Sequence, residues 1–155
     1  MILLENTAGS GQGLGFTFEQ LAAIRNAVRA KARVGICLDT AHLFAAGFPI
    51  HTEEGLQETL TAFDRAVGLT HLKLIHLNDS KVPWNSRVDR HWHIGEGHIG
   101  LEAFRRIVNH PQLRDLPFIL ETPKKTELED QRNLATVKSL RESSSRSRDA
   151  HTVGV

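Results

Sequence analysis

The sequence predicts an α/β fold in which parallel strands alternate with helices. Four short apolar runs are separated by segments of helical periodicity: residues 2–4, 34–38, 72–75 and 117–120. This alternation is typical of a parallel sheet built from strand–helix units. The continuous apolar character of the runs predicts that both faces of the sheet are buried. The length of 155 residues allows one domain but is too short for a complete eight-unit α/β barrel, which needs roughly 200 residues or more.

Helical periodicity predicts four helices between and after these runs, over residues 17–30, 52–68, 101–108 and 128–140. Thr17 and Gln20 have the spacing of a capping box at the start of the first helix. Thr52, followed by Glu53 and Glu54, marks the start of the second helix. The predicted domain therefore covers residues 1–141.

Two segments of this chain are predicted to lack regular structure. The glycine-rich loop at residues 6–15 has no Gly-Lys-Ser/Thr ending of a nucleotide P-loop, so we interpret it as a flexible connection that lets the backbone approach a ligand. Residues 142–155 form a polar, serine- and arginine-rich tail, which we expect to be disordered.

Composition limits the partners and the compartment. The formal net charge of +1 excludes a bulk polycation, so any contact with nucleic acid must be local. The single cysteine, Cys37, excludes an internal disulfide and fits a reducing compartment. No run is long enough to cross a membrane, and residues 1–5 lack the charged leader of a signal peptide. We therefore expect a cytoplasmic protein with no membrane partner.

A metal-competent side chain ends each of the four apolar runs. These side chains are Glu5, Asp39, His76 and Glu121. In parallel α/β folds the carboxyl ends of the strands lie on one face, where the active site is found. We therefore predict that the four side chains converge at one edge of the sheet.

The loop over residues 76–97 adds further candidates. Metal-competent side chains are interleaved there with cations that could bind phosphate: Asp79, Asp89, His91 and His93 with Lys81, Arg87 and Arg90. His42 follows Asp39 by three residues, so one helical turn could bring both into a site. Asp89 and His91 are two residues apart and point the same way in an extended loop.

The ligand types indicate a particular metal chemistry. Nitrogen and oxygen ligands without thiolates favour zinc or manganese over magnesium. Clustered cations of this kind can clamp a phosphodiester and generate hydroxide at neutral pH. Cys37 lies inside an apolar run and is predicted to be a small buried core residue. We expect five histidines to be solvated, namely His51, His71, His98, His110 and His151, and leave the role of His93 open.

Three stretches carry a family resemblance. They are Gly-Ile-Cys-Leu-Asp-Thr-Ala-His-Leu-Phe-Ala-Ala-Gly-Phe at 35–48, Asn-Asp-Ser-Lys at 78–81 with Ser-Arg-Val-Asp-Arg-His-Trp-His-Ile-Gly-Glu-Gly at 86–97, and Leu-Glu-Thr-Pro at 120–123. They resemble the signature segments of the endonuclease IV family, zinc-dependent endonucleases of DNA base-excision repair that fold as TIM barrels. The resemblance runs from about residue 2 to residue 140. It implies strands five to eight, the C-terminal half, of an eight-strand barrel.

The resemblance also assigns roles to residues. It implies that Glu5, Asp39, His76 and Glu121 bind zinc, with Glu5 in a bridging role and Glu5 and Glu121 as the catalytic carboxylates. A second zinc is assigned to His42, Asp89 and His91, and phosphate contacts are assigned to Lys81, Arg87 and Arg90. The implied reaction is hydrolysis of the phosphodiester 5′ to an abasic site in DNA, which leaves a 3′-hydroxyl.

Departures from the family pattern lower the expected activity. Ala41 stands where the family usually has cysteine, and Asn85 where glycine is usual; neither position is a ligand. The half of the family's barrel that is absent carries two further histidine ligands and a loop that probes the DNA minor groove. We therefore expect a truncated chain that keeps two of three zinc sites and is weakly active.

Two other interpretations remain open from the sequence. Sugar isomerases and epimerases of the related xylose-isomerase-like barrels also place Glu, Asp and His at strand ends around a divalent metal. Alternatively, the chain is an inactive barrel fragment whose open sheet edges favour self-association. The Asp-Arg-His sequence at 89–91 favours the nuclease, because an additional metal site suits phosphodiester chemistry better than proton transfer.

Overall fold

Four parallel strands form the main sheet of the computed structural model, which describes residues 1–142. In sheet order they are β1 (Ile2–Glu5), β2 (Val34–Asp39), β3 (Leu72–His76) and β6 (Phe118–Ile119). Every neighbouring pair runs parallel. The predicted α/β architecture, a four-strand part of a TIM-barrel-like fold, is confirmed. Apart from Glu142, the predicted polar tail lies beyond the described residues, and so does His151.

Five α-helices accompany the strands. They are α1 (Phe18–Ala27), α2 (Thr40–Ala45), α3 (Glu53–Ala66), α4 (Leu101–Asn109) and α5 (Glu127–Leu140). Thr17 and Thr52 cap α1 and α3 as predicted, because each side chain accepts a hydrogen bond from a backbone N–H of the first turn. No helix among residues 1–142 is long and apolar enough to cross a membrane.

Helix α1 ends earlier than predicted, and helix α5 exposes two of its leucines. Helix α1 ends before Val28, which is extended (φ −82°, ψ 126°), and a 3₁₀ turn at Lys31–Arg33 then leads into β2. Helix α5 forms as predicted, but Leu128 is 71% and Leu134 47% exposed. The side chains that α5 buries are Asn133 and Leu140, so its inward face is partly polar.

The core lies between the sheet and the helices. Ile36 and Leu38 of β2 pack there with Leu21 of α1 and Phe63 of α3. Gly35, which precedes Ile36 in β2, turns its Cα hydrogen side to the other face, where its neighbours are the side chains of Leu3 and Lys73. The prediction that both faces are buried is wrong outside β2. Ile2 is 63% and Ile119 47% exposed, because β1 and β6 are edge strands with one neighbour each.

The long loop after β3 contains a small hairpin that the sequence did not reveal. Strands β4 (Asp79–Ser80) and β5 (His91–Trp92) pair antiparallel. The segment that follows β5 also contributes to the core, since Ile94 and Ile99 are 4% and 5% exposed.

The glycine-rich loop is held by specific contacts, whereas the sequence indicated a flexible connection. Thr7 N–H donates to Gly15 O (3.0 Å), and Gln20 Oε1 accepts from the N–H groups of Gly15 and Phe16 (2.7 and 3.2 Å). Ser10 Oγ donates to Arg87 O (2.6 Å), which joins this loop to the segment before β5.

Candidate metal centre

The side chains that end the four parallel strands meet at one edge of the sheet. Glu5, Asp39, His76 and Glu121 each offer one ligand atom, and these atoms lie within 4.8 Å of one another. His76 Nδ1 is 3.0 Å from Glu5 Oε1 and 3.2 Å from Glu121 Oε2. The parallel register explains the convergence, because Asp39 pairs directly with His76 and Glu5 with Cys37.

A second group adjoins the first and shares Asp39 with it. Ligand atoms of Asp39, His42 and His91 also lie within 4.8 Å of one another. His42 sits in the first turn of α2, whose N-cap is Asp39, and His91 opens β5. Asp89 faces both rings, with its carboxylate oxygens 3.3 Å from His42 Nε2 and 3.4 Å from His91 Nε2. The structure thus brings all seven predicted ligand residues into one continuous cluster.

The hydrogen bonds of His42 and His91 test whether a cation fits between them. His42 Nδ1 lies 2.8 Å from Asn6 O and His91 Nδ1 3.1 Å from Glu121 O, so each Nδ1 carries a proton that it donates to a carbonyl. The two Nε2 atoms then face each other at 3.3 Å. Two lone pairs repel at this distance, and a proton or a metal ion bound by the Nε2 atoms would remove the repulsion. Metal-binding histidines are held by second hydrogen bonds of this kind.

The charges of the cluster also favour a bound cation. Burial is the largest influence on the pKa of His42 and lowers it, but the hydrogen bond with Glu5 and the charges of Asp39 and Asp89 raise the pKa to about 9. The hydrogen bond from His42 lowers the pKa of Glu5, against the opposing effect of burial. Burial raises the pKa of Asp39, whose side chain is fully inaccessible to solvent. The carboxylates therefore favour the protonated form of His42, and a bound metal ion would take the place of that proton.

Cys37 takes no part in this chemistry. Its thiol is 2% exposed, as predicted for a core residue. Burial, followed by the negative charge of Glu5, raises the pKa of the thiol to about 12. The thiolate form needed for a metal ligand or a nucleophile is therefore disfavoured.

Comparison with known proteins places this arrangement in a family. The family described as xylose isomerase-like TIM barrel matches residues 1–145. This chain belongs to that family. The match covers the four strands and all seven residues of the cluster.

Curated relatives in this barrel family carry the name probable endonuclease 4. The protein of Chloroflexus aurantiacus is 55% identical over 141 residues, which are 90% of this chain and 50% of the relative. The protein of Solibacter usitatus is 54% identical, over 90% of this chain and 49% of the relative. The chain thus spans about half the length of these curated relatives.

A solved structure supports the same relationship. Endonuclease IV from Thermus thermophilus aligns with a TM-score of 0.78 and 43% identity, over 89% of this chain and 48% of that chain. The predicted resemblance to the endonuclease IV family is confirmed.

Three exposed cations lie between β4 and β5, and each has a partner within the chain. The ammonium of Lys81 lies 4.1 Å from the centre of the Trp92 ring, and the guanidinium of Arg87 lies 4.7 Å from that of Phe16. Arg90 donates to the backbone carbonyl of Asp89 (2.7 Å). Their charged groups remain open to solvent, but Arg87 is also a packing residue.

The acidic residue Asp79 is not a metal ligand in this structure. It is fully buried, and its carboxylate accepts backbone hydrogen bonds of 2.7–3.0 Å from Ser80, Gly95, Gly97 and Ile99. Gly97 is needed for this approach, because a Cβ there would lie 2.5 Å from Asp79 Oδ1. The carboxylate of Asp79 therefore holds the backbone of the loop in place. The prediction that Asp79 is a candidate metal ligand is corrected.

The remaining histidines are less solvated than predicted. His51, His71 and His110 are half-buried, and among these residues only His98 is exposed. The ring of His51 packs edge-on against Phe44, with the ring centres 5.2 Å apart. His93, left open by the sequence, is buried and held by Asn133, whose side-chain nitrogen lies 3.1 Å from His93 Nδ1.

Sequence reasoning missed two buried asparagines beside the cluster. Asn6 Oδ1 accepts from the N–H of Asp39 (2.7 Å), and Asn78 Nδ2 donates to Asp39 Oδ2 (2.7 Å). Each follows a strand-end ligand by one or two residues, which is the only sequence signal that could have found them.

Proposed function

We propose that this chain carries the zinc-binding half of an apurinic/apyrimidinic endodeoxyribonuclease, which hydrolyses the DNA phosphodiester 5′ to an abasic site. The observation that carries the proposal is the convergence of seven histidine and carboxylate side chains in two groups that share Asp39. The names of the relatives support a nuclease.

Zinc is the proposed metal because the cluster combines imidazole nitrogens with carboxylate oxygens and lacks a thiolate. Zinc bound there would act as a Lewis acid towards the phosphodiester and supply a water of lowered pKa. Glu5, Asp39, His76 and Glu121 would hold one ion, with the bridging role of Glu5 and the catalytic roles of Glu5 and Glu121 taken from the resemblance. His42, Asp89 and His91 would hold another.

The protein's own groups would position the DNA. Lys81, Arg87 and Arg90 are exposed and lie between β4 and β5, the two strands of the hairpin that carries His91. Cations in such places contact backbone phosphates irrespective of base sequence. They are proposed to hold the strand on either side of the abasic nucleotide, with its phosphodiester over the cluster.

Removing a ligand from the hairpin should remove one metal ion. We expect Asp89→Ala or His91→Ala to lower the zinc content from about two ions to about one, an estimate from the number of ligands. Both residues contribute little to the core, since Asp89 is exposed and His91 half-buried, so the helical content should not change. Metal analysis after dialysis and far-UV circular dichroism measure the two quantities.

Glu96→Ala is the matched control, because Glu96 is an exposed carboxylate of the same segment that lies outside the cluster. It should retain the full zinc content. Unfolding by either hairpin substitution would show that the residues are structural and would contradict their assignment as ligands.

Loss of a phosphate contact should weaken DNA binding to all sequences alike. We expect Lys81→Ala or Arg90→Ala to reduce the slope of log affinity against log salt by about 1 each. Arg105→Ala is the control, because Arg105 lies on α4 and pairs with Glu102 (3.4 Å). Fluorescence anisotropy with abasic duplexes at several salt concentrations gives the slope, and a binding affinity that ignores salt would refute the contacts.

Sugar isomerisation is the second candidate, favoured by the strand-end group of Glu5, Asp39, His76 and Glu121. It gives no role to the second group with His42 and His91. Zinc-dependent cleavage of abasic DNA, without turnover of aldoses, distinguishes the two.

We also propose that the chain self-associates through the sheet edges. Within residues 1–142, β1 and β6 each pair with one strand and leave the other edge open. Open edges template pairing with another chain. Sedimentation velocity over a range of concentrations would detect the association, and a monomer throughout would contradict it.

A further inference from the structure

One buried asparagine connects two of the proposed zinc ligands. Asn78 is fully inaccessible to solvent. Its side-chain Nδ2 donates to Asp39 Oδ2 (2.7 Å), and its Oδ1 accepts from the backbone N–H of Glu121 (2.8 Å). The two halves of the amide therefore hold ligands that come from different strands.

The position of Asn78 in the sheet makes this connection possible. It follows β3 by two residues, and β3 lies between β2 and β6. Asp39 ends β2, and Glu121 follows β6. The side-chain amide of Asn78, just past the end of β3, thus reaches residues that follow or end both neighbouring strands.

Thr40 fixes the backbone of Asn78. The N–H of Asn78 donates to Thr40 Oγ1 (2.8 Å), and the Thr40 hydroxyl donates to Asn78 O (2.6 Å). The amide cannot be reversed, because its NH₂ faces a carboxylate and its oxygen faces an N–H. Its orientation is therefore determined by its neighbours.

The other Asp39 oxygen is also held. Oδ1 accepts from the N–H of His42 (2.8 Å), while Asn78 occupies one direction at Oδ2. A carboxylate oxygen has about two lone-pair directions, so one direction on each oxygen stays free for a metal. The hydrogen bonds from Asn78 and His42 together determine the orientation of the Asp39 lone pairs that remain free.

We propose that Asn78 is a positioning residue of the metal centre, which orients the Asp39 carboxylate and the backbone of Glu121 towards one point. This inference rests on the proposed zinc function. Partners of this kind, one shell beyond the metal, typically contribute 10- to 100-fold to metal affinity.

Two substitutions test the role. Asn78→Asp keeps the shape and the acceptor for Glu121 N–H but puts an oxygen against Asp39 Oδ2, so attraction becomes repulsion. Asn78→Ala removes both bonds. Zinc affinity, measured by competition with a chromophoric chelator, should fall about 10- to 100-fold for one ion in either variant. The visible spectrum of the Co²⁺-substituted protein should change at the same time, because the ligand geometry changes.

Asn109→Ala is the matched control. Asn109 also uses its whole side chain, donating to Arg105 O and Leu140 O (both 2.8 Å) and accepting from Glu142 N–H (2.9 Å). These bonds join α4 to the end of α5, and none of these residues belongs to the cluster. The control should lower thermal stability but leave zinc affinity and the Co²⁺ spectrum unchanged.

A measurement on the metal-free protein separates this inference from the proposed function. Hydrogen exchange of the Glu121 N–H, corrected for global stability, should accelerate at least tenfold in Asn78→Ala and stay slow in Asn78→Asp and Asn109→Ala. Unchanged exchange in Asn78→Ala, or unchanged zinc affinity in Asn78→Asp, overturns the positioning role. If wild-type protein binds no zinc, the proposed function fails, and the exchange result still decides whether Asn78 holds Glu121.

Discussion

Asp79→Ala is expected to lower the free energy of unfolding by about 3–5 kcal/mol. The substitution leaves four backbone N–H groups without their acceptor, those of Ser80, Gly95, Gly97 and Ile99. A buried donor without a partner costs about 1–3 kcal/mol, and water entering the more open part of the loop offsets some of the sum. Urea denaturation monitored by circular dichroism measures the change.

Asp64→Ala is the control for this prediction. Asp64 is exposed and accepts one backbone hydrogen bond, from Leu69 (2.8 Å), so its loss should cost about 0.5 kcal/mol or less. Asp79→Asn, which keeps one acceptor oxygen, should lie between the two. Equal stabilities for Asp79→Ala and Asp64→Ala would show that the loop does not depend on the buried carboxylate.

Incision of abasic duplex DNA by this chain is expected to be at least about 100-fold slower than by a version extended to a full barrel. The chain spans about half the length of the relatives it matches, so under the proposed function it would contact DNA with the surface of that half alone. The sheet face that carries Leu3 and Lys73 is incompletely covered, since Lys73 is exposed and Leu3 half-buried. A misplacement of about 1 Å in a reacting group can cost about 100-fold in rate.

A flipped-out abasic nucleotide adds to this loss. Holding a nucleotide outside the stack costs a few kcal/mol, which contacts from the protein must offset. The resemblance assigns the minor-groove probe to the half of the barrel that this chain does not include. Both proteins should be assayed in equal zinc, with Glu121→Ala in each as the inactive reference. Comparable turnover by the two would overturn the expectation.

The strand-end rule located much of the site from the sequence. Glu5, Asp39, His76 and Glu121 were predicted to converge, and their ligand atoms do meet. The rule succeeds because all strands of the sheet are parallel, so residues at or just after the carboxyl end of each strand lie at the same edge. The placement of His42 followed from one turn of helix.

Other features depend on contacts that no local pattern encodes. The strands β4 and β5 are two residues long, too short for a detectable alternation. Asp79 was a candidate ligand because the local sequence does not distinguish a carboxylate that faces a metal from one that accepts hydrogen bonds from four backbone N–H groups. The sequence marks Asn78 only by its place two residues after His76, and nothing local marks Asn133. A buried amide is specified by partners distant in sequence, such as Glu121 for Asn78 and Ile94 for Asn133.

The zinc content of the purified chain tests the central claim most directly. The protein should be loaded with zinc, dialysed against metal-free buffer and analysed by atomic emission. Seven ligand residues in two adjoining groups predict about two zinc ions per chain, an estimate from ligand number. A folded protein that retains no zinc would contradict the claim.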